Sequence, residues 1–382
     1  MSSTLSTRIA GWVQVSSIGL FLLLSCKDNT KTYKVAVIVD QSGATAEIGR
    51  SVLDGIKFAS EIFGDNILVV DFDDENDENT ARTRALEVVS DPACIAVIGH
   101  SSSGISSVAQ DVYGRFGMPF IMPVATKPSI TITASENGFN NVLRVVPSHD
   151  LQATKIIDFT VKSLHCNRPM VVNDQSEYGI DLGLTLERAF KSINVDVPIR
   201  KTVDWVKPNG VDYSSVVENM QRYRIDVLIF AGYYNEAVFI VKQIREASLH
   251  IPIVLTDGCF QDKLLDNVSA NSDSVFVAFV APDWKAVPRA KSLLDWFSRA
   301  HGGSDPTYAP FAADAFGMIC QAASQNENCL TRGMILQTLK HPDFVYSGIT
   351  GLYRFNSNGD WIGGSNYIYR LNKAKNTWDY IN

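Results

Sequence analysis

The chain has 382 residues, 46% of them hydrophobic and 20% charged, which gives room for two domains of ordinary size and is too apolar for a disordered chain. Its net charge is −7 with no basic block, which disfavours nucleic-acid binding, because phosphate contacts need a positive face. The six cysteines show no metal-ligand spacing and the six histidines are scattered, so no zinc site is expected.

The first 25 residues carry Arg8 as their only charged side chain, and 9–24 are largely apolar. That run is short and is interrupted by Gln14, Ser16 and Ser17, which suits a signal-peptide core better than a spanning helix. Leu23-Leu24-Ser25-Cys26 resembles the bacterial lipobox, which implies cleavage before Cys26, a diacylglyceryl thioether on its sulfur and an acylated N-terminus; the alternative is a plain signal peptide with a chance cysteine. Several acyl chains anchor a protein stably without a membrane span. Loss of 1–25 leaves 33 basic against 41 acidic residues, a charge of −8. Residues 26–32 then form a linker, and no later stretch is long and apolar enough to span, so a soluble, extracytoplasmic body is expected. Five cysteines remain after Cys26, an odd number in an oxidising compartment. Cys320 and Cys329 are near enough in sequence to bridge a helix end to its loop, and spacing alone does not establish that they do.

From Tyr33 the pattern alternates. Strands are predicted over 33–40, 67–72, 95–98 and 119–123, and helices over 48–63, 80–89 and 105–116. The acidic loop 73–79 lacks the ordered carboxylate spacing of a calcium hand and reads as a solvated loop that caps a helix. A second set begins near Pro147, with helices over 149–163, 179–193, 213–223 and 236–247 and strands over 170–173, 201–206, 226–230, 253–256 and 274–280. Helices over 288–300, 309–324 and 332–340 follow, then short aromatic strands at 352–355 and 367–371. Such alternation means βαβ units and parallel sheets with right-handed crossovers, here in two α/β halves.

Residues 95–108, IAVIGHSSSGISSV, hold the most informative turn. A buried strand breaks at Gly99, and a serine-rich turn opens a helix whose first N–H groups suit a small anion such as a carboxylate. The turn misses G-x-S-x-G by one position, and neither G-x-G-x-x-G nor a phosphate-cradling loop is present, so catalysis and a nucleotide cofactor are not supported. Ligands of open α/β sheets sit outside the carboxyl ends of the strands. Those ends gather Ser42, then Ser101, Ser102 and Ser103, then Val124, Ala125 and Thr126, and in the second half 174–178 ending in Tyr178, Gly232 and Tyr233, and Asp257 and Gly258. Hydroxyls, turn N–H groups, two tyrosines and few acids suit a small zwitterion. Ser103 and nearby N–H groups would take its carboxylate; Asp257, the Thr126 hydroxyl and the Val124 carbonyl would take its ammonium. Each residue alone has a plainer reading, such as Ser103 as a helix cap or Asp257 as a turn former.

On these residues the chain resembles the periplasmic binding proteins of branched-chain amino-acid ABC transporters, the leucine/isoleucine/valine-binding type, from Tyr33 to near Asp360. Val97-Ile-Gly-His100 with its serines, Pro123-Val-Ala-Thr126, Glu177-Tyr-Gly179, Ala231-Gly-Tyr233, Thr256-Asp-Gly258 and Gly351-Leu-Tyr-Arg-Phe355 carry the resemblance. It implies two Rossmann-like lobes with parallel sheets that close on a ligand about three crossovers near Val146, Val280 and Tyr353. Lobe 1 is then 33–147 with 281–352, and lobe 2 is 148–280 with 353–382. It assigns Ser103 and Thr126 to the carboxylate and amine, Tyr178 to the aromatic of the second lobe, Tyr233 to a hinge-side contact, and Asp257 to the ammonium. It also marks departures. Ser101 and Ser102 replace larger, less polar wall residues, Ile48 replaces an aromatic, and Asn76 and Ser102 stand where the family has a cysteine pair. Leucine specificity is therefore not implied. The resemblance implies no enzyme activity, cofactor or metal, an amino-acid ligand, an ABC permease with its ATPase subunits as partners, a membrane contact through the lipid alone and a monomer. The alternative is a sensory module of the same fold that feeds a signalling partner.

Overall fold

The computed structural model describes residues 32–63, 67–207, 209–268, 274–302, 306–325 and 330–381. The leader, Cys26 and Cys329 lie outside these, and with them the lipid site and the 320–329 pairing. Among the described residues no helix is long and apolar enough to cross a membrane.

Lobe 1 opens with β1 (Tyr33–Val39), α1 (Ala46–Phe63), β2 (Ile67–Asp73), α2 (Glu78–Ser90), β3 (Cys94–Gly99), α3 (Ser103–Arg115), β4 (Phe120–Met122), α4 (Ser129–Glu136) and β5 (Val142–Arg144). The strands pair in parallel in the order β2-β1-β3-β4-β5. β3 is buried at every position, as its run of β-branched residues requires when helices cover both faces. Gly99 ends it where a Cβ would strike the Ile38 carbonyl of β1, so only glycine lets the two strand ends lie this close.

Lobe 2 runs through α5 (His149–Asp158), continued by a π-helical turn at Phe159–Ser163, then β6 (Pro169–Asn173), α6 (Glu177–Ser192), β7 (Ile199–Thr202), α7 (Ser214–Arg222), β8 (Val227–Ala231), α8 (Tyr234–Glu246), β9 (Ile253–Leu255), α9 (Asp262–Asn267) and β10 (Val275–Phe279). The chain then returns to lobe 1 with α10 (Lys291–His301), α11 (Ala309–Ser324), α12 (Arg332–Leu339) and the small ladder of β11 (Tyr346–Ser347) and β12 (Leu352–Tyr353). It finishes in lobe 2 with β13 (Tyr367–Asn372) and β14 (Thr377–Tyr380). The second sheet has the order β14-β13-β10-β9-β8-β6-β7. Its body is parallel as expected, and β13 and β14 add an antiparallel edge.

The third passage between lobes lies later than the Tyr353 expected. Asp360 bridges Arg144 alongside β5, Arg144 N donates to Gly359 O at 2.8 Å, and Trp361 N donates to Arg144 O at 3.1 Å. The chain therefore stays on lobe 1 through Trp361 and joins the second sheet at Tyr367. The cause is a buried charge. Arg144 is fully buried, and its guanidinium donates to Asp360 Oδ1 from Nε at 2.9 Å and from Nη2 at 2.7 Å. Such a cation needs a carboxylate in place, and 354–361 brings it.

The acidic loop also differs from its reading. Asp77 does cap α2, accepting from the N–H groups of Asn79 and Thr80. Asp74, however, is 1% exposed, and its Oδ2 lies 2.6 Å from Nδ1 of the buried His100. Ligand oxygens of Asp40, Asp73 and Asp74 lie within 4.8 Å of one another. They are taken up by the chain's own donors: Asp40 accepts from the N–H groups of Ser42, Gly43 and Thr45, and Asp73 from Gln41 N and Ser42 Oγ. The cluster builds the loop that leads into α1.

Candidate functional site

The carboxyl ends of both sheets face one another across a cleft. Its lining contains Ile48, Ser101, Ser102, Ser103, Val124, Ala125, Thr126, Tyr178, Tyr233 and Asp257, with Gly258 of the same strand end, and also Tyr308, which sequence reasoning missed; Ser42 is not part of it and donates to Asp73 instead. The empty space among them is about 230 Å³.

On the lobe 1 side, Ser103 is the first residue of α3, and Ser102 before it makes no capping bond with its side chain. The N–H groups of that first turn thus stay open to a ligand acceptor. The other two serines are already committed. Ser101 Oγ accepts from Asp40 N at 3.0 Å, and Ser102 Oγ donates to Asn76 Oδ1 at 2.7 Å. The wall they form is less polar than their hydroxyls imply, and a hydrogen bond joins the two positions where the resemblance expects a cysteine pair. Thr126 is different: it is 2% exposed, and its Oγ1 has no hydrogen-bond partner among the described residues. The loop that carries it is held from beneath by Arg144, which donates to Ala125 O at 3.3 Å and Lys127 O at 2.6 Å.

On the lobe 2 side, the centre is Asp257, 4% exposed, in a single 3-10 turn after β9. Its Oδ1 accepts from Tyr178 OH at 2.5 Å and Gln152 Nε2 at 2.8 Å, and its Oδ2 from Tyr308 OH at 2.8 Å. Tyr178 and Tyr233 meet with ring centroids 5.4 Å apart. Both are placed by Asp174, which accepts from Ser176 N at 3.0 Å where α6 begins and from Tyr233 N at 3.2 Å where α8 begins. Burial pushes the Asp174 carboxyl up to about 6 and the phenols of Tyr178, Tyr233 and Tyr308 well above their ordinary range. The tyrosines are neutral donors at any physiological pH.

The two lobes touch around this cleft. Glu177 at the start of α6 pairs with Lys127 and accepts from Ser107 Oγ of α3 at 3.2 Å. Glu47 of α1 pairs with Lys263 of α9. These contacts define a closed form.

A family model for periplasmic binding proteins matches residues 32–376. The chain belongs to the periplasmic binding protein family. As a member it is a solute-binding protein and not an enzyme. Among its relatives, the Leu/Ile/Val-binding protein of Citrobacter freundii is 28% identical over 281 residues, 72% of this chain and 74% of that one. The Leu/Ile/Val/Thr-binding protein of Salmonella typhimurium is 27% identical over 269 residues, 69% of this chain and 71% of that one. Solved structures share the two-lobed fold. The leucine-binding protein LivK of Thermotoga maritima has a TM-score of 0.80 at 21% identity, covering 92% of this chain and 98% of that one. LivJ of Streptococcus pneumoniae in complex with isoleucine has 0.77 at 21%, covering 92% and 99%. A Rhodopseudomonas palustris solute-binding protein in complex with benzoate has 0.78 at 16%, covering 92% and 95%.

The strand-end rule found the cleft because the residues that it collected lie in the turns, or the first turns of helices, that follow strands. Tyr308 follows none; it lies in the turn before α11, in the segment that returns from lobe 2. A signal for Arg144 was present: an arginine inside the apolar run Val142-Leu-Arg-Val-Val146 calls for a buried partner.

Proposed function

We propose that this protein captures a small amino acid between its lobes and delivers it to an ABC importer, anchored as a monomer by lipid on Cys26 at the outer face of a membrane. The observation that carries the reading is the pairing of opposite polarities across the cleft. The open first turn of α3 offers N–H donors from one lobe, Asp257 offers a buried carboxylate from the other, and Thr126 adds to the same cleft a buried hydroxyl that is unpartnered among the described residues. A ligand carboxylate at the α3 turn and an ammonium at Asp257 and the Thr126 hydroxyl satisfy them. A benzoate-like ligand has no cation to meet Asp257. Because the ligand touches both lobes, it binds the closed form better than the open one and shifts the population toward it. The relatives named as amino-acid-binding proteins support the ligand class, and the lipobox-like Leu23-Leu24-Ser25-Cys26 supports the anchor.

Native mass spectrometry of the full chain extracted from membranes and incubated with a panel of L-amino acids tests the reading. A monomer that begins at Cys26, carries acyl mass and retains one amino acid is expected. A chain that retains none of the panel overturns the ligand assignment; an unacylated chain overturns the anchor.

A further inference from the structure

Asp257 is held by donors from both sides of the cleft. Gln152 of α5 and Tyr178 of α6 belong to the same lobe as the carboxylate, but Tyr308 belongs to the other. Its position is built, not incidental. The Ser51 hydroxyl on α1 accepts from Tyr308 N at 3.1 Å and Thr307 Oγ1 at 2.7 Å and donates to Pro306 O at 3.0 Å, while Ala309 N donates to Pro306 O at 2.7 Å. A side chain from a neighbouring helix thus takes up the Tyr308 N–H at the start of α11. The Tyr308 ring packs edge-on against Phe279 at the end of β10, with centroids 5.4 Å apart, and is 2% exposed.

We propose that Tyr308 is a positioning residue that latches the lobes directly through the Asp257 carboxylate. The proposal rests on the reading of Asp257 as the ligand's anchor. Its physical basis is the cost of closing the cleft. In the open form Asp257 faces water. Closure buries a carboxylate, and an ionised group without enough donors is expensive to bury. Tyr308 supplies a charge-assisted donor to Oδ2 from the approaching lobe, so closure does not wait on an ammonium. A carboxylate has about four acceptor sites, so three protein donors leave room for one from a ligand. The ligand then adds to a closure that the chain already makes by itself, and the closed form is populated without it.

Hydrogen–deuterium exchange of the ligand-free full chain tests this, since local opening sets the exchange rate. Tyr308→Phe removes one oxygen and keeps the ring on Phe279. Exchange in 101–107 and 256–260 should then quicken at least threefold, while the sheet core at 169–173 stays as in the parent. In the Asp257→Ala background, where the hydroxyl has no carboxylate to meet, Tyr308→Phe should add nothing. Unchanged exchange in the single variant, or the same quickening in both backgrounds, overturns the latch. Because no ligand is used, this outcome is independent of whether the chain retains an amino acid.

Discussion

Thr126 and Asp257 approach the cleft in opposite states. Asp257 already accepts from three donors on its two oxygens, whereas Thr126 Oγ1 is buried with none among the described residues. An unsatisfied hydroxyl costs the free protein about 1–3 kcal/mol, and an apolar group of the same shape relieves that cost. Thr126→Val is therefore expected to leave the ligand-free chain as stable as the parent or slightly more so, and to weaken amino-acid binding about tenfold, a loss of ~1.4 kcal/mol. Calorimetry together with thermal melting checks both halves; equal affinity would remove Thr126 from the ligand contacts. Asp257→Ala behaves otherwise. It strands Tyr178, Tyr308 and Gln152 without their acceptor, so it lowers stability as well as affinity, and only the Thr126 variant separates the two.

At the scale of elements, the positions that the ligand meets are set from behind by buried ionic groups. Arg144 at the end of β5 donates to Lys127 O, Ala125 O, Thr131 Oγ1 and Asp360 Oδ1 and so ties the Thr126 loop, α4 and the 354–361 segment to one strand end. Burial lowers its pKa and the Asp360 carboxylate opposes that shift. Removing one member of such a pair costs about 3–5 kcal/mol. Arg144→Met is expected to lose that much in urea denaturation and also to weaken amino-acid binding, although Arg144 does not line the cleft. A variant that lost stability but bound normally would mean that the Thr126 loop does not depend on it. Most elements were legible because long apolar or amphipathic stretches leave few choices, as in β3 and α11. The misses have local causes. Helix α4 reads SITITASE, rich in β-branched residues that favour strand over helix, and β5 is only three residues long. Of the site, residues that follow strands were legible, and Tyr308 and Gln152 were not, because their roles arise from contacts 51 and 105 residues away in sequence; Arg144 announced a buried partner, but not that it stands 216 residues on.

For the molecule as a whole, buried acids set a dependence on pH. Asp314 of α11 is 1% exposed and accepts from Ile349 N, Thr350 N and Thr350 Oγ1, yet burial pushes its carboxyl up to about 6. The unfolded value is near 3.9. The folded form therefore takes up this proton first, and the cost of the buried charge, complete above pH 6, is relieved as pH falls from 6 toward 4. Asp314→Asn lacks that relief, so the stability gap between parent and variant should widen by about 1 kcal/mol between pH 7.5 and pH 5. Urea midpoints at the two pH values measure it, and a constant gap would mean that Asp314 titrates alike in both states. Asp174, also pushed up to about 6, contributes equally to parent and variant and cancels.

The late arrival of Asp360 beside β5 also bears on the order of folding. Every parallel strand of the second sheet, β6 to β10, is contiguous from Pro169 to Phe279 and is complete while the chain is still being made. Lobe 1 starts first and finishes later. Its Arg144 has no carboxylate to meet until residue 360 has emerged, 216 residues on, and a guanidinium does not enter an apolar interior alone. The β5 edge of lobe 1 therefore stays open until residue 360 has emerged, and only β13 and β14, which complete the edge of the second sheet, follow it.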